Sequence, residues 1–285
     1  MRIAIVTCKD LPEPDPDQSP LLTALAHAGQ DAQLLPWDDL AADPAPFDLC
    51  LLRSTWNYCH EPERFLDWID HAANVSNLLN PPDVVRWNIH KKYLTKLADQ
   101  GVPIVPTHWL QRGDTASLQS VMEQHGWDDV VVKPAISAAS FLTKRFAKND
   151  VVQGASFLAD LLTQRDMMVQ KFMPEVDTTG ELSITWIDGR FTHAIRKAPR
   201  FDDADENVSG AREIVPVELA AAARALAGFE NQCLYARVDF IGDPEQGLLL
   251  SELELIEPSL FLIQHQPALE RLVSALARFA HAHKQ

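Results

Sequence analysis

Paired cysteine motifs are missing from this sequence. The four cysteines, Cys8, Cys50, Cys59 and Cys233, show no CxxC spacing. That argues against a structural zinc or a disulfide framework and for reduced thiols. Long apolar runs are missing too: none approaches the ~20 residues that a membrane span requires. The opening stretch MRIAIVTCKDLPEPD lacks the apolar core and small-residue cleavage site of a secretion signal, and a cytoplasmic protein is expected. Basic charge is in deficit, with 25 Lys and Arg against 40 Asp and Glu and a net charge of −15. General nucleic-acid binding needs clustered cations to neutralise phosphates, so it is excluded as an expectation. A local basic pocket can still take a nucleotide, although there is no Walker A sequence. Neither an internal repeat nor a low-complexity tract is present.

What remains is the composition of a globular enzyme: 46% hydrophobic and 23% charged over 285 residues. That length suggests two or three packed subdomains. Residues 2–7, 33–36 and 48–53 read as strands, alternating with helices at 20–29 and 61–73. This alternation points to a mostly parallel sheet with helices packed on it. One helix is expected over 88–100, ending at Gly101, followed by an extended segment 102–107 whose prolines forbid helix. Helices at 115–126 and 151–164 and strands at 130–133, 141–146 and 167–172 make a small α+β unit. The last third carries a hairpin, 182–187 and 191–197 around Asp188 and Gly189. A polar loop at 200–211, a helix at 216–230, strands at 234–241 and 247–256 and a closing helix follow. The fold class is therefore α/β plus α+β. The expected units are an α/β unit over 1–85, a linker helix with a small central unit over 86–172, and a β-rich unit over 173–285.

The last strand pair, residues 236–254, is the most informative part. Residues two apart on a strand share a face. Arg237 and Asp239 thus point one way and Val238 and Phe240 the other, while Glu252 and Glu254 oppose Leu253 and Leu255. If Ile241 pairs with Leu248, Asp239 and Glu252 lie diagonally on one face, ~7–8 Å apart at the backbone. Three carboxylates so placed repel one another unless a cation intervenes, and Mg²⁺ takes oxygen ligands of this kind together with substrate phosphates. A solvated strand face with alternating acids is the other reading. Lys133 ends an apolar strand and precedes Pro134 and a loop of small residues, 135–140, whose backbone can approach phosphate closely. Lys91 and Lys92 sit early in a helix, where a solvated face is the favoured reading and a phosphate contact the other. Arg53, Thr55, Trp56, Asn57 and Tyr58 follow a strand, where ligands of α/β sheets tend to bind. Arg53 suits a carboxylate, and Trp56 and Tyr58 suit a pocket wall. Arg237 and Glu257 are placed either to orient a substrate carboxylate and amine or to form a structural ion pair. His60 and His193 are read as non-catalytic.

Seven stretches in order, WNIHK at 87–91, GVPIVPT at 101–107, VKP at 132–134, QKFM at 170–173, GE at 180–181, RVD at 237–239 and ELE at 252–254, resemble the ATP-grasp superfamily in its glutathione-synthetase-like branch. LRSTWNY at 52–58 and FTHAIRK at 191–197 look most like the bacterial group that contains a cyclo-ligase closing O-ureido-D-serine into D-cycloserine. The resemblance implies an ATP-grasp fold with an N-terminal pre-ATP-grasp unit and a central lid. It implies ATP and Mg²⁺, two ions, as cofactors. Lys91 and Lys133 would contact the phosphates, with Ser137 and Ser140 in a flap over them. Gln170, Lys171, Phe172 and Met173 would form the hinge strand, the backbone of Lys171 and Met173 reading adenine, and Glu181 would face the ribose. Asp239, Glu252 and Glu254 would hold the metal, although many relatives have Asn at the place of Glu254. Arg196, Lys197 and Arg237 would help neutralise charge in the reaction. The flap departs from relatives in having no glycine.

The function so implied is a carboxylate–amine or amide ligase working through an acyl phosphate on a small amino-acid-like molecule. An intramolecular cyclo-ligase is its specific form. Alternatives are a ligase that modifies a peptide, an ATP-binding regulator without chemistry, and a kinase that releases its product. No nucleic-acid or membrane partner is expected. A homodimer is carried over as an expectation, because relatives are often dimers.

Overall fold

The computed structural model describes residues 1–198 and 207–282. Of the polar loop expected at 200–211, residues 200–206 lie outside the described residues. The first sheet holds strands β1 (Arg2–Thr7), β2 (Asp31–Pro36), β3 (Leu49–Ser54) and β4 (Asn77–Leu79) in the order β2-β1-β3-β4, all parallel. Alternation sorts its side chains. Ile3, Ile5, Leu49 and Leu51 pack with Leu21 and Leu25 of helix α1 (Gln18–His27), while Ala4, Val6, Cys50 and Leu52 pack with Phe65 and Ile69 of α2 (Pro62–Val75). The covered strands are apolar throughout because both faces are buried. The short strand β4 had no sequence signal long enough to be read.

A single helix over 88–100 does not form. Helix α3 (Pro82–Asn88) ends and α4 (Tyr93–Asp99) begins anew. The break has a visible cause. The Asn88 side chain spans backbone groups of Leu253 and Leu255, at 2.7 and 2.9 Å, and the Lys91 N–H bonds Ala135 O at 2.8 Å. An N–H committed outside the helix cannot also close a helical turn.

The second sheet is antiparallel, in the order β5 (Thr107–Leu110), β8 (Met167–Lys171), β6 (Asp129–Pro134), β7 (Lys144–Ala147). The strand expected at 141–146 is therefore shorter and later. Helices α5 (Leu118–His125) and α6 (Val151–Leu162) cover one face, with Leu118, Val121, Leu158 and Leu162 against Val130, Val132, Met167 and Val169. A five-residue helix, α7 (Glu175–Thr179), was not anticipated.

The third sheet runs β10 (Arg190–Lys197), β9 (Glu181–Ile187), β11 (Tyr235–Asp243), β12 (Gly247–Glu254), also antiparallel. Leu182, Ile184, Ala236, Val238, Phe240, Leu250 and Leu253 form its apolar face against Leu94 and Leu97 of α4 and Ala222 and Leu226 of α8 (Pro216–Leu226). The last helix, α9 (Gln266–Ala282), returns to the first sheet, where Leu272 and Leu276 join the core of Ile3 and Ile5. Among the described residues no helix is long and apolar enough to cross a membrane.

Candidate active site

The polar face of the third sheet is where the site forms. The expected diagonal relation of Asp239 and Glu252 is replaced by a direct one. Ile241 pairs with Leu249, and a bulge on β12 then lets Asp239 pair with Glu252 and Arg237 with Glu254. The extra residue is Ser251. Its insertion explains how Leu250 and Leu253, three apart, reach the same apolar face. The buried Ser251 hydroxyl bonds Glu181 and also Asp239 O at 3.1 Å. The outer edge of β12 is sealed by the linker: Asn88 as above, Tyr93 Oη accepting from Leu253 N at 2.9 Å, and the Pro103 carbonyl accepting from Leu250 N at 2.8 Å.

Four cations, from β6, β10, β11 and the linker between α3 and α4, converge on these acids. Lys133 donates to Glu252 at 2.8 Å, and Lys91 stands 3.4 Å from the same carboxylate while donating to Ser137 O at 3.0 Å. Lys197 lies 2.8 Å from Glu181 and 3.1 Å from Asp239. Arg237 grips Asp239 through Nε at 3.0 Å and Nη2 at 2.8 Å, and also reaches Glu254. Gly180, at φ +72°, lets Glu181 begin its strand beside β10, since a Cβ there would meet Lys197 O at 2.5 Å.

Burial works against every charge here, and the partners decide the outcome. Burial opposes ionisation of Glu252, but Lys133 and Lys91 outweigh it and hold the carboxyl well below the usual range. Asp239 is likewise depressed against its burial, by Arg237 and Lys197. Burial and Arg237 oppose the Lys197 charge, yet Asp239 and Glu181 raise its pKa. Two acids are left in excess. Burial pushes Glu254 up to about 7, assisted by Asp239 and Glu252, and pushes Glu257 up to about 8, assisted by Glu254.

All these groups line one cleft of ≈ 240 Å³ to a water-sized sphere. Of the expected residues, Lys91, Lys133, Ser137, Ser140, Gln170, Lys171, Phe172, Met173, Glu181, Lys197, Arg237, Asp239, Glu252, Glu254, Trp56, Tyr58 and Glu257 are on its wall. Four are not. Arg53 is buried and donates to Pro258 O at 2.9 Å, 3.8 Å from Asp17. It therefore braces the chain behind the cleft, as does Trp56, whose Nε1 donates to Glu257 O at 3.1 Å. Thr55 is buried, and Asn57 is held by Trp37 and Asp38. Arg196 alternates to the opposite side of β10 from Lys197 and meets Gly180 O at 3.4 Å. His193 is buried and stacked on His265, away from the cleft wall. Sequence reasoning did not single out Glu13, Asn88, Tyr93, Ser251 and Ser259, which also line the cleft. Ser251 carried one signal, a lone hydroxyl between an apolar run and the acids.

Among the described residues no three acidic, His or Cys side chains form a group that could hold a metal ion by themselves. The donor chemistry still fits Mg²⁺, because Asp239, Glu252 and Glu254 offer hard oxygens. The raised Glu254 and Glu257 mark local negative charge that a divalent cation would relieve. A site of this kind needs phosphate oxygens to complete it.

An antiparallel sheet carrying acids, facing a smaller sheet that supplies a lysine at a strand end, defines the ATP-grasp class. The D-alanine–D-alanine ligase of Bacillus anthracis shares this fold, at TM-score 0.67 and 16% identity over the whole of both chains. A family model described as the N-terminal domain of D-cycloserine synthetase DcsG matches residues 3–80. The cycloserine biosynthesis protein DcsG of Streptomyces lavendulae is 30% identical, covering 92% of this chain and 93% of that one. A crystal structure of D-cycloserine synthetase DcsG superposes at TM-score 0.88, with 28% identity, covering 98% of this chain and 99% of that one. The chain belongs to the DcsG family of ATP-grasp ligases. It is an ATP-dependent, carbon–nitrogen bond-forming ligase.

Proposed function

We propose that this ligase activates the carboxylate of a small O-linked D-amino acid and closes it intramolecularly, as D-cycloserine is formed from O-ureido-D-serine. The observation that carries the reading is the convergence of Lys91 and Lys133, from two separate parts of the chain, on Glu252 within one cleft. Such paired lysines suit the phosphates of ATP, and in their absence a carboxylate balances them.

A carboxylate is a poor electrophile. Transfer of the γ-phosphoryl group to it makes an acyl phosphate, which the nitrogen of the same molecule attacks with loss of phosphate; for O-ureido-D-serine the carbamoyl group on that nitrogen must then leave to water as carbamate, giving D-cycloserine. Phosphoryl transfer asks for position and charge neutralisation more than for covalent help. Lys91 and Lys133 bind phosphate oxygens, and Lys197 and Arg237 offset charge at the carboxylate end. Asp239, Glu252 and Glu254 would hold Mg²⁺, two ions by the family pattern, which supplies further neutralisation when bound. Tyr58, Trp56 and Glu257 form the wall on the substrate side, with Glu257 suited to an ammonium group. The loop 137–140 contributes Ser137 and Ser140 to the roof, and Glu181 suits a ribose hydroxyl. Water must be kept from the acyl phosphate, which it would hydrolyse.

The test is ADP release with Mg²⁺ and ATP on a panel of amino acids and O-linked derivatives, with product mass read in parallel. O-Ureido-D-serine should release ADP and yield a cyclic product. ADP release only with an added amine or a peptide would replace this reading by an intermolecular one. Assembly as a homodimer is a separate expectation, checked by sedimentation.

A further inference from the structure

Residues 89–92, between α3 and α4, hang between two sheets. Asn88 and Tyr93, on either side of them, are bonded to β12. Residues 90 and 91 are tied to the second sheet instead. Lys91 N donates to Ala135 O at 2.8 Å, just beyond the end of β6, and Ala135 N donates to Asp166 O at 2.9 Å. The Lys91 side chain then spans both sheets, donating to Ser137 O at 3.0 Å and standing 3.4 Å from Glu252. Where its ammonium sits relative to Lys133 thus depends on how firmly its backbone is held to the end of β6.

His90 supplies a second tie. Its Nδ1 accepts from Lys92 N at 3.1 Å, so the ring proton of the neutral imidazole is on Nε2. Nε2 therefore donates to Asp166 Oδ2, at 3.2 Å. Asp166 stands directly before β8, and its other oxygens are taken: Oδ1 accepts from Arg112 N at 2.8 Å, and the carbonyl accepts from Ala135 N. One residue thus gathers the chain after β5, the chain after β6 and the linker. Neither His90 nor Asp166 is on the wall of the cleft. A ring held at both nitrogens is a stiff spacer, and such outlying bonds orient the groups that do touch a ligand.

We propose that His90 and Asp166 are a positioning pair for Lys91: their hydrogen bond sets the linker against the end of β6, so that the ammonium groups of Lys91 and Lys133 meet the same phosphates. Lys133 is on β6 two residues before Ala135, and the bonds from Ala135 to Lys91 and to Asp166 make one short path between the two lysines and the pair. His90 and Asp166 act through Lys91 and do not themselves bind the nucleotide. The inference rests on the ATP-site reading of the cleft and is independent of the carboxylate substrate.

The experiment is calorimetric binding of ADP to the full chain with Mg²⁺, run as a double-mutant cycle. His90→Leu removes the donor and should weaken ADP binding by about tenfold. His90→Gln keeps a donor near the place of Nε2 and should recover most of that loss. In a Lys91→Ala background the same His90→Leu change should cost less than about twofold, because the lysine it positions is gone. Unchanged ADP affinity in His90→Leu overturns the proposal. So does a tenfold loss repeated in the Lys91→Ala background, or an equal loss in His90→Gln, since either marks an effect on the fold and not on Lys91. Should His90→Leu not fold, Asp166→Asn takes its place: once its amide oxygen serves Arg112 N, its amide nitrogen meets His90 donor to donor. The same fall, and its disappearance without Lys91, are then expected, and a fall that persists without Lys91 or is absent overturns the proposal. If wild type does not bind ADP, the ATP-site reading falls and this proposal with it, and so the two failures are distinguishable.

Discussion

Asp239 on β11 and Glu252 on β12 stand directly opposite each other across the ladder. Like charges so placed are unfavourable unless each is neutralised, and each has its own cation: Arg237 for Asp239, Lys133 for Glu252. Glu252→Gln should therefore have two effects. Mg-dependent ATP turnover should fall by at least about 100-fold, in the range typical of losing one electrostatic catalytic group. The nucleotide-free protein should also lose about 2 kcal/mol, because Lys91 and Lys133 would lose their buried counter-charge. Thermal melts with and without ADP check this: ADP should recover more stability in the variant than in wild type.

Lys133→Ala removes a buried cation to which the phosphate-binding role is proposed. Affinity for ATP measured by calorimetry should fall by roughly ten- to a hundredfold. Unchanged affinity would contradict the role assigned to this lysine.

Arg53 acts on the site at second hand. Its guanidinium holds Pro258 O, and Asp17 accepts the N–H groups of Leu262 and Ile263 at 2.8 and 3.1 Å. The segment carrying Glu257 and Ser259 is thus tied down from behind. Arg53→Lys should raise KM for the carboxylate substrate while leaving KM for ATP unchanged, and should lower Tm. Equal effects on both KM values would deny the bracing role.

His193 sets an acid limit. Burial first, and then His265, depress its pKa from 6.5 to about 4. Between those values the unfolded chain binds the proton that the folded chain refuses. The stability that His193 contributes is therefore full above about pH 6.5 and is lost as pH drops towards 4, by up to about 3 kcal/mol. Glu254 and Glu257, raised to about 7 and about 8, act in the opposite sense over the same range, so the readout is the difference between wild type and His193→Gln: the gap between their urea midpoints should change steadily from pH 7 to pH 4.5, in the sense of wild type losing relative to the variant as pH falls.

The sheets were legible where alternation was clean. In β9 and β11 every second side chain is apolar and buried, so the polar face could be assigned before any coordinates. The bulge at Ser251 was not legible, because a run of three leucines fits either parity until the partner strand fixes the register. The break between α3 and α4 was hidden for a related reason. Apolar positions on both halves keep helical spacing, and the interruption comes from bonds to β12 and Ala135 that are distant in sequence. Arg53 looked like a ligand because a charged residue after a strand usually meets solvent or substrate. Its burial depends on Asp17 and Pro258, which sequence proximity does not reveal.

The return of α9 to the first sheet bears on how the chain is made. Ile3 and Ile5 leave the ribosome long before Leu272 and Leu276, which cover them. Until α9 emerges, that face of the leading sheet lacks the part of its cover that Leu272 and Leu276 supply, and has α1 and the later arrivals Ile187, Tyr235, Leu260 and Leu262 in their place. A nascent chain with an uncovered apolar face is prone to association and to chaperone capture. Truncation before residue 266 should accordingly give a product that aggregates, even though every residue of the catalytic cleft would be present.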